Sequence, residues 1–265
     1  MVSAVENVVC HIENILRKLI PISLRNVLRP YWHRFVDRLE HLKGRQDPSN
    51  KALLQGIASG FDQQSESYDD TMSYFNYTAP RLLFVALQEF LNGTPKRHTV
   101  LDAGCGTGLC GILFRPLAHQ LDGVDVSPGM VEKARQRGLY DHLETIDLVG
   151  YLNKSPSTYD LVISAGVLQF FSDVKPLFTG VNKVLRNNGY FGFTIDKIDA
   201  GDQKYVVSSR NSAMYVHHPN YIREAATATS FRIVKSDEII ERNDMLQNKP
   251  VPGVLYVFQK RIGKS

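Results

Sequence analysis

A chain of 265 residues with 43% hydrophobic content can bury a full core, and its length fits one α/β domain plus an extension. Its net charge of +4 attracts acidic partners only weakly and gives no reason to expect nucleic acid. Cys10, Cys105 and Cys110 are odd in number and lack C-x-x-C spacing, so neither a disulfide framework nor a zinc or other metal site is indicated. They read as small buried thiols in a reducing compartment. No run approaches the ~18 apolar residues of a membrane span, and the first residues lack a signal-peptide cleavage pattern, so a cytoplasmic protein is expected.

In chain order, residues 1–45 read as an amphipathic helical extension. Val5, Val8, Ile12, Ile15 and Leu19 follow helical spacing, as do Leu24, Val27, Leu28, Tyr31, Phe35 and Leu39, with Pro21 between the stretches and Pro30 inside the second. Arg17, Lys18, Arg25, Arg29, Arg34, Arg38, Lys43 and Arg45 crowd the same segment. Two uses fit this pattern: docking of the apolar face on the domain or on a second copy of the chain in a homodimer, or peripheral attachment to an anionic membrane surface with Tyr31 and Trp32 near the headgroups. Docking is the preferred reading. Asp47 to Asn50 reads as a linker and helix start, which sets a main domain at 46–265.

Within that domain a helix is expected over Lys51–Ala58, further helix around Asp62–Asp70, and a helix capped by Thr78 running from Ala79 to Gly93. Strands are expected near 99–103, 121–125, 143–147, 159–164, 189–195, 231–240 and 253–260, with helical segments between most of them, including Leu109–His119. This alternation predicts a doubly wound α/β fold, a mostly parallel seven-stranded sheet with helices on both faces. The connection after Ser236 is too short and polar for a crossover helix, so the last two strands should be antiparallel.

The most informative stretch is VLDAGCGTGLCG, Val100–Gly111, where a strand passes through Asp102, Gly104, Gly106 and Gly108 into a helix. Glycines there tolerate positive φ and let backbone approach a ligand, and the helix start offers unpaired N–H donors. Gly106, Gly108 and Gly111 also satisfy the G-x-G-x-x-G spacing of dinucleotide sites. Asp102, however, stands where a pyrophosphate would lie, and a carboxylate repels phosphate but suits an ammonium or sulfonium. That acid excludes a nicotinamide oxidoreductase. Asp125 ends the next strand at about the 20-residue interval at which an acid takes ribose hydroxyls, and Ser127 and Pro128 look like the N-cap and first turn of the helix after it.

These pieces, with Asp147 in ETIDL, YDLVISAGVLQFF from Tyr159 and LRNNGYFGFT from Leu185, occur in the order found in the class I S-adenosylmethionine (SAM)-dependent methyltransferases, which the chain resembles over roughly 61–197. FDQQSESYD, YTAPRLL, MYVHHPNYI and PVPGVLYVF are similar, more narrowly, to a group of small-molecule methyltransferases found alone or fused to helical repeats. The resemblance implies a Rossmann-like fold and SAM as cofactor. Gly104, Gly106 and Gly108 should meet its methionine half by backbone, Asp102 its ammonium directly or through water, and Asp125 both ribose hydroxyls, which a two-oxygen acceptor can bind at once. Asp147 and Leu148 match the adenine position, Ser164 and Ala165 should offer backbone to the methionine side, and Tyr68 should close over the carboxylate.

Catalysis is harder to place, because a sulfonium methyl is already activated and in-line transfer needs alignment and desolvation more than an acid or base. Where a base is used, the candidates are Asp196 after the fifth strand and His217, with His218 capping the helix that opens at Pro219. Two departures from the family pattern stand out. Gly166 replaces a common acidic residue after the fourth strand, and Asn187, Asn188 and Gly189 replace Pro-Gly-Gly before the fifth, a turn that asparagine can make. Tyr74, Phe75, Tyr77, Phe170 and Phe171 are candidates to roof an apolar or flat substrate. The expected activity is methyl transfer to a small-molecule or lipid-like acceptor. The alternative is a non-catalytic SAM-binding partner subunit of another enzyme.

Overall fold

The computed structural model describes residues 51–91, 97–156, 158–198, 201, 203–208, 214–244 and 249–261. The amphipathic extension at 1–45 and Cys10 lie outside the described residues, and with them the docking and membrane readings.

Strand β1 (His98–Ala103) pairs in parallel with β2 (Ala118–Asp125) on one side and β4 (Tyr159–Ser164) on the other. β3 (His142–Thr145) extends the sheet beyond β2, and β5 (Leu185–Asp196) lies beyond β4, both parallel. After a two-stranded ribbon of β6 (Tyr205–Val207) and β7 (Tyr215–His217), the chain returns through β8 (Phe231–Asn243) and β9 (Pro250–Lys260). Both pair antiparallel, giving the order β3-β2-β1-β4-β5-β9-β8. The doubly wound, mostly parallel seven-stranded sheet and its antiparallel ending are therefore as expected.

Side-chain alternation splits the core into two layers. Leu101, Val162, Phe191, Phe193, Tyr256 and Phe258 point to one face, which α6 (Leu148–Lys154), α7 (Lys175–Val184) and α8 (Pro219–Ala228) cover. Val100, Leu161, Ile163, Leu255 and Val257 point to the other, where α3 (Ala79–Gln88) and α4 (Leu109–Phe114) pack. On the first face Phe178 meets Phe191, Phe193 and Phe258 at centroid distances of 5.7, 5.3 and 5.4 Å. Offset and edge-on aromatic contacts of this kind add to what area burial alone provides.

Several boundaries differ from the sequence reading for local reasons. The helix expected over Leu109–His119 stops at Phe114, because Pro116 cannot continue the ladder, and β2 begins at Ala118. Arg115 holds this tight return by donating to the Ala118 and Leu139 carbonyls at 2.7 and 3.0 Å and to Asp141 at 2.6 Å. Helix is continuous over α1 (Lys51–Gln64) and restarts as α2 (Tyr68–Tyr74). Asp147 does not end a strand: β3 stops at Thr145 and Asp147 is the N-cap of α6. Thr78 precedes α3 but makes no cap bond. Its hydroxyl donates instead to the carbonyls of Ile240 and Glu241, at 2.8 and 3.1 Å.

That last contact belongs to a larger one. The Thr78 N–H donates to the Glu241 carbonyl at 2.8 Å and the Asn243 N–H to the Phe75 carbonyl at 2.7 Å, so the turn after α2 covers the free edge of β8. An edge strand left open would offer a row of unpaired backbone groups.

Gly253 of β9 lies opposite Asp196, and a Cβ there would stand 2.6 Å from the Ile195 carbonyl oxygen. Backbone cannot yield as a side-chain end does. Gly253→Ala should destabilise the fold by about 1–3 kcal/mol through overpacking, read as a lower denaturant midpoint at unchanged slope.

Candidate functional site

The strand order reverses between β1 and β4, and in open α/β sheets ligands bind beyond the strand ends at such a point. A pocket lies there. Its walls come from the loop after β1 (Gly104, Gly106), the end of β2 (Val124, Asp125, Val126), the start of α6 (Asp147, Leu148), the segment after β4 (Ala165–Val167, Phe170, Phe171), and α1 and α2 above.

The glycine loop is built for close approach. Gly104, Gly106 and Gly108 have φ of +82°, +52° and +93°, a region in which side chains are strained. A Cβ on Gly104 would strike Val167 at 2.4 Å, whereas one on Gly106 would meet nothing within 4 Å. Gly106 thus presents bare backbone to the pocket. Its N–H donates to Asp125 Oδ2 at 2.9 Å, and the Ser127 N–H donates to Asp125 Oδ1 at 2.9 Å. Each carboxylate oxygen keeps a further lone pair for a ligand hydroxyl. Burial raises the Asp125 pKa, and the backbone donors of Ser127, Gly106 and Val126 counteract it.

α1 and α2 form a cover, held by charge-assisted hydrogen bonds. Asp62 accepts from the Ser127 hydroxyl at 2.5 Å and the Gly129 N–H at 2.8 Å, at the start of α5 (Pro128–Gln136), while the Ser127 hydroxyl also caps that helix through the Met130 N–H. Asp69 accepts from the Thr107 hydroxyl at 2.6 Å and pairs with Arg137, whose Nε donates to the Thr107 carbonyl. Phe61 packs edge-on to Phe170 at 5.6 Å and to Tyr68 at 6.2 Å. Tyr68 lines the pocket, and burial, then the nearby Asp125 charge, push its phenol above its usual pKa while Arg242 opposes. Asp62 and Asp69 escaped the sequence reading, although both stand in the FDQQSESYD segment that supplied Tyr68.

The expected cofactor residues divide. Tyr68, Gly104, Gly106, Asp125, Asp147, Leu148 and Ala165 line the pocket, whereas Asp102, Gly108 and Ser164 support it from behind. Asp147 does two things: Oδ1 caps α6 by accepting from the Gly150 N–H at 2.6 Å, and the residue faces the pocket. The Ser164 hydroxyl donates to the Ala103 carbonyl at 2.7 Å and ties β4 to β1. Asp102 is 1% exposed and accepts from the Tyr140 hydroxyl at 2.7 Å, beneath the loop instead of at the pocket surface. The reason is steric. A Cβ on Gly111 or Gly123 would come within 3 Å of the Tyr140 ring or hydroxyl, and one on Gly108 within 3.2 Å. The spacing that imitates a dinucleotide motif makes room for Tyr140.

The two expected bases lie outside the pocket lining. His217 is fully buried, and its Nε2 lies 2.7 Å from the Phe171 carbonyl. A carbonyl only accepts, so Nε2 carries the hydrogen and Nδ1, which has no hydrogen-bond partner, is the bare nitrogen. Burial lowers this imidazole to about 4. Asp196 is engaged through both oxygens by Arg242, at 2.9 and 3.1 Å. His218 does cap α8, accepting from the Asn220 N–H at 3.1 Å.

Burial raises Asp102 to about 7 against the Tyr140 hydrogen bond. The folded chain therefore keeps this proton after the unfolded chain has released it near pH 4, and stability is lost as pH rises from about 4 to 7. Asp102→Asn should remove that share. Its stability relative to wild type should improve between about pH 5 and 7.5 in urea denaturation, and a constant difference would show that Asp102 does not titrate there.

With this geometry in place, comparisons with known proteins are informative. The family pattern described as a methyltransferase domain matches residues 101–191. The human protein called methyltransferase-like protein 27 is 40% identical over 110 residues, covering 41% of this chain and 45% of its own. The chain spans about half the length of the first curated relatives it matches. Aklanonic acid methyltransferase DauC of Streptomyces sp. (strain C5) is 30% identical over 167 residues, 59% of this chain and 70% of that one. Among solved structures, Burkholderia thailandensis 1,6-didemethyltoxoflavin-N1-methyltransferase, with bound 1,6-didemethyltoxoflavin and S-adenosylhomocysteine, superposes with a TM-score of 0.61 at 18% identity, over 82% of this chain and 91% of that one. The likeness to DauC over most of that protein's length, on the same sheet order and strand-end pocket, shows that the chain belongs to the class I SAM-dependent methyltransferase superfamily, whose cofactor is S-adenosylmethionine.

Proposed function

We propose that this chain is a methyltransferase that moves a methyl group from SAM to a small-molecule or lipid-like acceptor. The observation that carries this reading is the pairing of Asp125 with the open face of Gly106, a carboxylate and bare backbone side by side at the switch point. The residues fit the group. Asp125 has lone pairs for a ribose, Asp147 and Leu148 offer an acceptor and an apolar wall for an adenine, and Gly104, Gly106 and Ala165 give backbone along the remaining edge. Bound SAM supplies a methyl on a positively charged sulfur, ready for in-line displacement. What the chain must add is alignment and exclusion of water.

The cover provides both. Leu54, Ile57 and Phe61 from α1 face Val167, Phe170 and Phe171 across the pocket, so the acceptor side is mainly apolar. That wall suits a flat or lipid-like molecule. Phe170 and Phe171, but not Tyr74, Phe75 or Tyr77, contribute to it. No helix among the described residues is long and apolar enough to cross a membrane, and no cluster of His, Cys, Asp or Glu among them is arranged to hold a metal.

Calorimetry tests the reading directly. S-adenosylhomocysteine should bind and NAD should not; the reverse would overturn it. Asp125→Ala removes hydrogen bonds to a charged acceptor worth roughly 1.5–3 kcal/mol each and frees the Gly106 and Ser127 N–H groups, so affinity should fall at least tenfold, about 1.4 kcal/mol. Gly106→Val should abolish binding, since its side chain enters the open cradle, and should also lower the melting temperature, because a β-branched residue is strained at φ +52°.

A further inference from the structure

The pocket is narrower than the cofactor it should hold. The space between its walls is about 100 Å³, against roughly 300–1,000 Å³ for a site that encloses a ligand of drug size. One wall must give way when SAM enters. The strand-end walls are fixed, since the Gly106 and Ser127 N–H groups are bonded to Asp125, and those of Gly104 and Cys105 donate to the Val124 carbonyl at 2.8 and 2.9 Å. The cover is fastened differently. Its far end is anchored by the backbone bonds from Phe75 and Thr78 to β8, and between these two residues Asn76 turns the chain at φ +53°. Its near end is held by side chains.

Three of these side chains form a ring. Asp69 Oδ1 accepts from the Thr107 hydroxyl at 2.6 Å, Asp69 Oδ2 pairs with Arg137 Nη2, and Arg137 Nε donates to the Thr107 carbonyl at 2.6 Å. Each member belongs to a different element: α2, the glycine loop and the end of α5. Thr107 stands between Gly106 and Gly108, and Asp69 follows Tyr68, which lines the pocket. The ring thus sets Tyr68 against the loop. The Asp69 and Arg137 side chains are 45% and 26% exposed, so water can take over both charges when the pair separates, which a buried pair would not allow. Asp62 fastens α1 beside the ring, through the Ser127 hydroxyl and the Gly129 N–H, and keeps the cover on the domain while the ring opens.

Resting on the methyltransferase reading above, we propose that Asp69 and Arg137 are positioning residues: with Thr107 they latch α2, and Tyr68 with it, onto the glycine loop, and this latch must open for SAM to enter and for S-adenosylhomocysteine to leave. Opening swings α2 about its anchor on β8. Arginine suits the post because its planar fork serves the Asp69 carboxylate and the Thr107 carbonyl at once. A ligand that passes only through the open form exchanges faster in both directions when the latch is weakened. Its affinity changes little, because the free and the bound protein lose the same closing energy.

Rapid mixing of the full chain with labelled S-adenosylhomocysteine gives the association rate, and a chase with unlabelled compound gives release. Asp69→Ala should raise both rate constants by about tenfold, equivalent to about 1.4 kcal/mol, and leave Kd within about threefold of wild type. Arg137→Lys keeps the charge but reaches one acceptor in place of two, so both rates should rise by only about threefold. Added salt should speed exchange in wild type and not in Asp69→Ala, because the half-exposed pair is screened. Lys133→Gln, which removes the exposed pair with Glu66, should leave both rates within about twofold. Unchanged rates in Asp69→Ala and Arg137→Lys would overturn the proposal, as would faster release with slower association, the pattern of a merely disordered loop. Failure of wild type to bind S-adenosylhomocysteine would instead overturn the methyltransferase reading, and this inference with it.

Discussion

Asp125 holds the ligand side of the sheet together. One oxygen takes the Gly106 N–H from the loop after β1, and the other takes the Ser127 N–H at the start of α5, so two loops from neighbouring strands are fixed to one carboxylate. Such bonds to an ionised acceptor are stronger than neutral ones, and they point both N–H groups inward, away from the ligand's own acceptors. The ligand is left with the outer lone pairs of the acid and the bare α-carbon of Gly106. A site that needs no rearrangement to bind loses less of its interaction energy to ordering.

The cover repeats this arrangement at a greater distance. Asp62 reaches the Ser127 hydroxyl and the Gly129 N–H, and Asp69 reaches Thr107 and Arg137, so α1 and α2 are bonded to the same two loops that Asp125 joins. Lys133 adds an exposed pair with Glu66 at 2.5 Å, of the kind that contributes little by itself. The acids of the cover satisfy helix-start and loop donors, the Gly129 N–H and the Ser127 and Thr107 hydroxyls. The cover packs against Phe170 through Phe61 and makes its hydrogen bonds without using the Asp125 oxygens.

The fold was largely legible because its signals are local: apolar runs bounded by turn residues, and strand ends marked by Asp102 and Asp125. Errors arose where a contact came from far along the chain. Thr78 has the right residue type and place for a cap, yet its hydroxyl goes to Ile240 and Glu241, more than 160 positions away. Nothing near Asp102 in sequence announces that Tyr140 will fill the space left by Gly111 and Gly123 and donate to that acid from beneath the loop. The ribbon of β6 and β7 was missed since each strand has three residues, too few for a period to show. His217 was a candidate base by its type and its place in MYVHHPNYI, but its surroundings, Phe171, Tyr205 and Tyr221, are those of a packed ring.

The pocket and the polar group behind Gly166 differ in how they are assembled. The cofactor end is drawn mainly from consecutive strand–loop–helix units, with Gly104, Gly106, Asp125 and Asp147 all within about 45 residues, and each is positioned by hydrogen bonds to close neighbours. The polar group behind Gly166 joins Tyr77 from the cover, Gly166 and Gln169 after β4, Thr194 and Asp196 on β5, and Glu241 and Arg242 on β8. Contacts of such wide separation form only once the sheet is complete, since each closes a long loop. At Gly166 the space a side chain would fill holds the Tyr77 hydroxyl, 2.6 Å from where a Cβ would stand, and Tyr77 is set there by the backbone bonds through which the cover docks on β8.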